Sequence, residues 1–165
     1  MEKVHWLTWT TLVLWMVTAG VGSYYFVFGT TVAGVDKRTE VRLNVHEREF
    51  VLNEMRTLLA ELQRVVDGLA RDDMKAVSVH LSNMGMKMAA DDSPTLLGKL
   101  PLGLKTMGIG LHKKMDELSE KVAKNKIQKK ELLQELSTSL GVCVSCHSTY
   151  RISLSPSIAP APKQK

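Results

Sequence analysis

The sequence predicts an all-α protein, an antiparallel four-helix bundle preceded by a single N-terminal transmembrane helix. Three observations carry that expectation. Residues Trp6 to Phe28 hold no charged side chain. Leu, Val and Met then recur at three- and four-residue steps in four successive stretches, the period of an amphipathic helix. No stretch shows the alternation expected of a half-buried strand, and no internal repeat is visible.

At 165 residues, with 44% hydrophobic and 24% charged side chains, the chain suits one globular domain plus appendages. Residues 6–28 form the expected anchor. As a helix that run is roughly 35 Å long, enough to cross a hydrocarbon core of about 30 Å. Trp6 and Trp9 at one end and Tyr24 and Tyr25 at the other sit where interfacial belts belong. A cleaved signal peptide centred on Leu7 to Ala19 is the rival reading, but the apolar run continues past Gly22 into Tyr-Tyr-Phe-Val-Phe. Flanking charges are balanced, Lys3 against Glu2 before the span and Lys37 and Arg38 against Asp36 and Glu40 after it. They give no orientation.

Residues 29–44 are read as a small-residue connector and the start of the first helix, with a helical pattern from about Val35. In that helix Leu52, Met55, Leu59, Leu62, Val66 and Leu69 form the apolar stripe, flanked by Leu58 and Val65. Arg71-Asp72-Asp73 signals the next helix start, with Val77, Leu81, Met84 and Met88 as its stripe. Asp91-Asp92-Ser93-Pro94 ends it, and Gly98, Pro101 and Gly103 mark a loop. Leu104, Leu111, Met115, Leu118 and Val122 define a third helix, broken at Lys124-Asn125-Lys126. The fourth runs from about Gln128 through Leu132, Leu136, Leu140 and Cys143 towards Tyr150. The expected bundle covers residues 45–153. Residues 154–165, with Pro156, Pro160 and Pro162, are expected to be a disordered tail.

The chemistry sits in Cys143-Val144-Ser145-Cys146-His147, which holds both cysteines of the protein. This is the pattern of c-type haem attachment. On a helix the two thiols and the imidazole fall at i, i+3 and i+4, on one side. Each thiol can then form a thioether with one porphyrin vinyl group, and His147 can ligate the iron. A thioredoxin-like redox pair would follow a strand in a βαβ pattern, and none is visible. A zinc site needs further ligands at set spacing, and no second Cys/His cluster exists. One covalent haem c is the expected cofactor.

Cys143-Val-Ser-Cys-His-Ser-Thr-Tyr-Arg151 resembles the C-terminal signature of the cytochrome c-prime family, four-helix-bundle c-type cytochromes whose attachment motif is followed by an aromatic residue and an arginine. Arg48, Leu52 and Gly68 fit the family's first-helix spacing, and Val77 fits the second helix. The resemblance covers roughly residues 45–152. It implies that Arg48, Leu52 and Arg151 line the cofactor and that Arg151 tunes its electrostatics near the proximal histidine. It also implies that Leu52 occupies the distal face, leaving the iron open to small gases. A three-residue shift of the alignment would make Met55 the sixth ligand instead, which suits electron transfer. Core packing is the simpler role for Met55.

Haem attachment in c-type cytochromes implies an extracytoplasmic domain. The expectation is a single-pass protein of the bacterial inner membrane with its soluble domain in the periplasm, or a periplasmic protein after signal cleavage. An electron carrier serving redox partner proteins comes first. A five-coordinate protein binding nitric oxide or carbon monoxide is the alternative. An enzyme is not expected, since only His112 offers itself to a peroxidase-like site. His80 and His112 lack a ligand motif, and Met84, Met86 and Met88 are read as gap fillers. The net charge of +5 and the lysines at 113, 114, 121, 124, 126, 129 and 130 suit a solvated face, an acidic redox partner or anionic headgroups. Nucleic acid is not an expected partner, and a homodimer is left open.

Overall fold

The computed structural model describes residues 2–90 and 93–155, with side chains from residue 5. The chain is mostly helical and opens on the apolar helix α1 (Glu2–Phe28). Its segment His5–Phe28 is long and apolar enough to cross a membrane, and none of it is buried against the rest of the protein.

The connector is not helical, which corrects the sequence expectation of a helix from about Val35. Strands β1 (Thr31–Ala33) and β2 (Thr39–Leu43) form an antiparallel hairpin, with Val32 opposite Glu40. Helix α2 (Val45–Ala70) begins only after it. Asn44 caps α2 by accepting from the Glu47 N–H, and the Glu47 carboxylate accepts from the Asn44 N–H in return.

Helix α3 (Met74–Asn83) starts where Asp73 accepts from the Ala76 N–H, at the expected Arg71-Asp72-Asp73 signal. It stops short of Met88. The short helix α4 (Met86–Ala89) follows a break at Met84 and Gly85. Asp91 and Asp92 of the expected turn lie outside the described residues. Beyond them α5 (Pro94–Lys99), capped by Ser93, takes up part of the expected loop, and the expected third helix follows as α6 (Leu102–Ala123). Pro94 opens α5 because its missing N–H is no loss in a first turn. Asn125, at φ 52°, carries the turn to α7 (Lys129–Thr149).

Strand β3 (Tyr150–Leu154) was not expected either, and it lies parallel to β2, pairing Val41 with Ile152. The three-stranded sheet, ordered β1-β2-β3, therefore joins the two ends of the folded domain. Leu154, placed by sequence in a disordered tail, is part of it, and the Ser155 N–H donates to the Leu43 carbonyl at 2.9 Å. The rest of that tail, residues 156–165, lies outside the described residues.

Two apolar clusters hold the domain. The larger collects Val65 of α2, Val77 and Leu81 of α3, Met115, Leu118 and Val122 of α6, and Leu132 and Leu136 of α7. The smaller packs Val41 and Leu43 of β2, Val51 of α2 and Leu96 of α5, with Tyr150 and Ile152 against them. The buried line on α2 is Val51, Glu61, Val65 and Gly68. Of the predicted stripe, Leu62 and Leu69 pack against the larger cluster together with flanking Leu58 and Val65, while Leu59 at 68% and Val66 at 55% exposure turn outward.

The junction between α1 and the domain is knitted by backbone. Thr30 donates to the Lys99 carbonyl at 2.8 Å, and Arg42 donates to the Thr30 carbonyl at 3.0 Å. Gly29 has φ +62°, and a Cβ there would collide with the Lys99 carbonyl oxygen. Only glycine meets both demands without strain.

Candidate functional site

Cys143, Cys146 and His147 lie in the last two turns of α7, an unbroken helix at that point. Both thiols are free and half-buried, and His147 is exposed. The Cys143 thiol faces the Ser139 carbonyl, with sulfur and oxygen 3.6 Å apart. Burial pushes both thiol pKa values up, which keeps them protonated. Leu140, Cys143, Val144 and His147 follow the i, i+3, i+4, i+7 spacing of one helix face. That face is uncovered, with Leu140 at 44% and Val144 at 70% exposure.

This donor set and its surroundings fit a covalently held haem. Two free thiols and an imidazole share a side of one helix, beside apolar side chains left largely uncovered by the described residues. No group of three or more His, Cys, Asp or Glu side chains able to hold a metal ion occurs among the described residues, so the cysteines are not part of a zinc cluster there.

The last turn of α7 is held by residues that sequence reasoning passed over. Arg38, on the turn between β1 and β2, donates from Nη1 to the His147 carbonyl at 3.1 Å. Asp36 accepts from Arg38 Nε at 2.9 Å. The Arg38 side chain holds the Asp36 carboxyl down at about 2. Arg151 pairs with Glu40 at 2.7 Å and reaches Asp36 at 3.5 Å. Glu40 is also held below the carboxylate range, first by the Ser153 hydroxyl and then by Arg151. In the sequence the charges at 36, 38 and 40 read only as flanks of the anchor. Their spacing around a tight turn was the signal that could have found them.

Arg151 stands on β3, four residues past His147, with its guanidinium paired to Glu40 and reaching Asp36. Arg48 pairs with Glu49 at 2.7 Å on the first turns of α2. Leu52 is half-buried. Met55 is 40% exposed, so core packing does not account for it.

The remaining candidates find structural partners. His80 Nδ1 lies 2.8 Å from a Glu61 carboxylate oxygen, and His112 Nδ1 lies 2.7 Å from the Met84 carbonyl oxygen. Met84 is buried in the larger cluster, while Met86 and Met88 are half-buried. The basic stretch is largely neutralised: Lys114 reaches Glu135 at 3.0 Å, Lys121 reaches Glu117 at 2.7 Å, Lys124 pairs with Glu120, and Lys129 with Asp72. The chain matches no protein-family model, no curated protein and no solved structure.

Proposed function

We propose that this protein is a membrane-anchored mono-haem c-type cytochrome of the cytochrome c-prime kind, passing single electrons on the periplasmic side of a bacterial inner membrane. The observation that carries the reading is the uncovered face of α7, where Cys143, Val144 and His147 share one side with Leu140 and Cys146 stands beside them. The single core drawing on α2, α3, α6 and α7 supports the four-helix-bundle assignment. The exposed, charge-free run from Trp6 to Phe28 within α1 supports the reading of an anchor. Tethering raises the effective concentration at membrane-bound redox partners.

Each residue has a role in this reading. The Cys143 and Cys146 thiols would each add across a vinyl group of the haem, sulfur bonding to carbon and the thiol hydrogen passing to the neighbouring carbon. His147 would hold the iron through a ring nitrogen, and the Arg38 bond to its carbonyl fixes the turn that carries it. Bound there, a haem supplies an iron that gains and loses one electron. Arg151, Glu40 and Asp36 keep β3 docked and hold the charge beside the site in balanced pairs.

Leu52 at the resembling distal position favours a second reading, an open iron that binds nitric oxide or carbon monoxide. Met55 as the sixth ligand would instead make a Met/His pair suited to electron transfer. Two measurements decide. Haem staining of a denaturing gel of the membrane fraction should show one covalent band, lost in Cys143→Ser/Cys146→Ser; no band in the wild type ends the haem reading. The reduced spectrum should be low-spin and unresponsive to carbon monoxide, and become responsive in Met55→Leu. A high-spin wild type that binds carbon monoxide rapidly would put the gas reading first.

A further inference from the structure

At the foot of α1 an apolar cleft of about 690 Å³ opens between the anchor and the domain. Its walls include Phe26 of α1, Leu97 of α5, and Leu102 and Ile109 of α6, with Lys105 and Lys113 also lining it. The volume is that of a small-molecule site. Leu102 and Ile109 are 39% and 38% exposed, so the walls are apolar surface left uncovered. Lys105 extends back over α1, its Nζ 4.4 Å from the Phe26 ring centre and donating to the Phe26 carbonyl at 3.0 Å. Lys113 is exposed and makes no ion pair among the described residues. Lys99, by contrast, is spent on Glu47 at 2.6 Å.

Position selects the occupant. The cleft begins in the last turn of a span-length helix, where Tyr24 and Phe28 stack at 4.9 Å, as aromatic residues do at a membrane surface. A molecule diffusing in the bilayer reaches it sideways. Apolar walls take an acyl chain, and ammonium groups at the rim take a negative headgroup. We infer that this cleft binds an anionic phospholipid from the membrane that α1 crosses. The site rests on the reading of α1 as a retained anchor, because Phe26 forms one wall. The Gly29 and Thr30 junction keeps that wall fixed against α5.

The test uses the full-length protein in micelles of equal phosphatidylcholine and phosphatidylglycerol, followed by native mass spectrometry. The wild type should retain one phosphatidylglycerol with a preference on the order of tenfold over phosphatidylcholine. Lys105→Gln/Lys113→Gln should bring the two lipids to parity. Gly110→Leu should lower retention of both, since a Cβ at Gly110, which lines the cleft, meets no atom within 4 Å and the added side chain has room without disturbing the fold. Equal retention of the two lipids by the wild type, or a preference unchanged by the lysine variant, would overturn the site. So would retention of a lipoquinone in place of a phospholipid. The intact mass separates the two readings: a chain lacking its first segment overturns the anchor and the site together, whereas an intact chain without preference overturns the site alone.

Discussion

Glu61 has the smallest exposure of any charged side chain in the core, 5%. It stands in α2 on the line that faces α3, and three groups meet it there. Asn83 donates from Nδ2 at 2.9 Å, His80 Nδ1 lies at 2.8 Å, and Arg64 pairs with it from the next turn. Burial pushes the carboxyl pKa up, but Asn83, His80 and Arg64 together outweigh burial and set it below the ordinary value. A carboxyl depressed in the folded state stabilises the fold above its unfolded value of about 4.3. That contribution is lost as pH falls through the lower folded value. Glu61→Gln keeps the shape and removes the charge. It should cost about 1–2 kcal/mol at pH 7, and its stability gap from the wild type should narrow below about pH 4. Thermal unfolding followed by circular dichroism across that range checks this. A gap that stays constant down to pH 3 would show that the charge is not what holds the three partners.

Among the elements, β3 has the widest consequences for its length. Its five residues pair in parallel with β2 and cover Val41 and Leu43, both fully buried. Ending the chain after Thr149 should expose them at a cost of roughly 1.5–3 kcal/mol each and lower the melting temperature by about 10 °C or more. Ending it after Ser155 should leave the melting temperature unchanged, so two truncations separate strand from tail. The sheet also shows what sequence patterning misses. Val41 and Leu43 do alternate with Glu40 and Arg42, but five residues are too few to outvote the helical pattern that follows. Tyr150, Ile152 and Leu154 likewise alternate with Arg151 and Ser153, but this run is equally short and directly continues the pattern of the last helix. On α2 two stripes of three- and four-residue steps run side by side. The predicted one, through Leu52, Met55, Leu59, Leu62, Val66 and Leu69, meets the core at Leu62 and Leu69, with flanking Leu58 and Val65. The buried line also takes in Val51, Glu61 and Gly68, because a carboxylate with three partners and a glycine where an added Cβ would lie 2.9 Å from the Val77 methyl are invisible to hydropathy. The long helices and the Asp73 start were legible because each rests on local chemistry.

At the scale of the whole molecule, the attachment motif and the anchor meet the same hairpin. β1 begins three residues after α1 ends, and Arg38 beyond it holds the His147 carbonyl. Tyr150, three residues past His147, shares an open cleft with Val27 and Phe28 of α1. In the proposed reading the motif therefore sits at the membrane-facing end of the domain, and the backbone bonds of Thr30 leave the domain little freedom to swing away. In the haem-loaded protein this geometry predicts that the cofactor quenches a fluorophore on lipid headgroups of the outer face. A Gly/Ser insert of about 20 residues between Phe28 and Gly29, with a reach of roughly 25 Å, should release much of that quenching while leaving the haem spectrum unchanged. Equal quenching with and without the insert would mean that the anchor does not set the height of the site. Weak quenching in the wild type would mean that the domain does not stand on the membrane by this end, and electron exchange would then have to proceed through soluble partners.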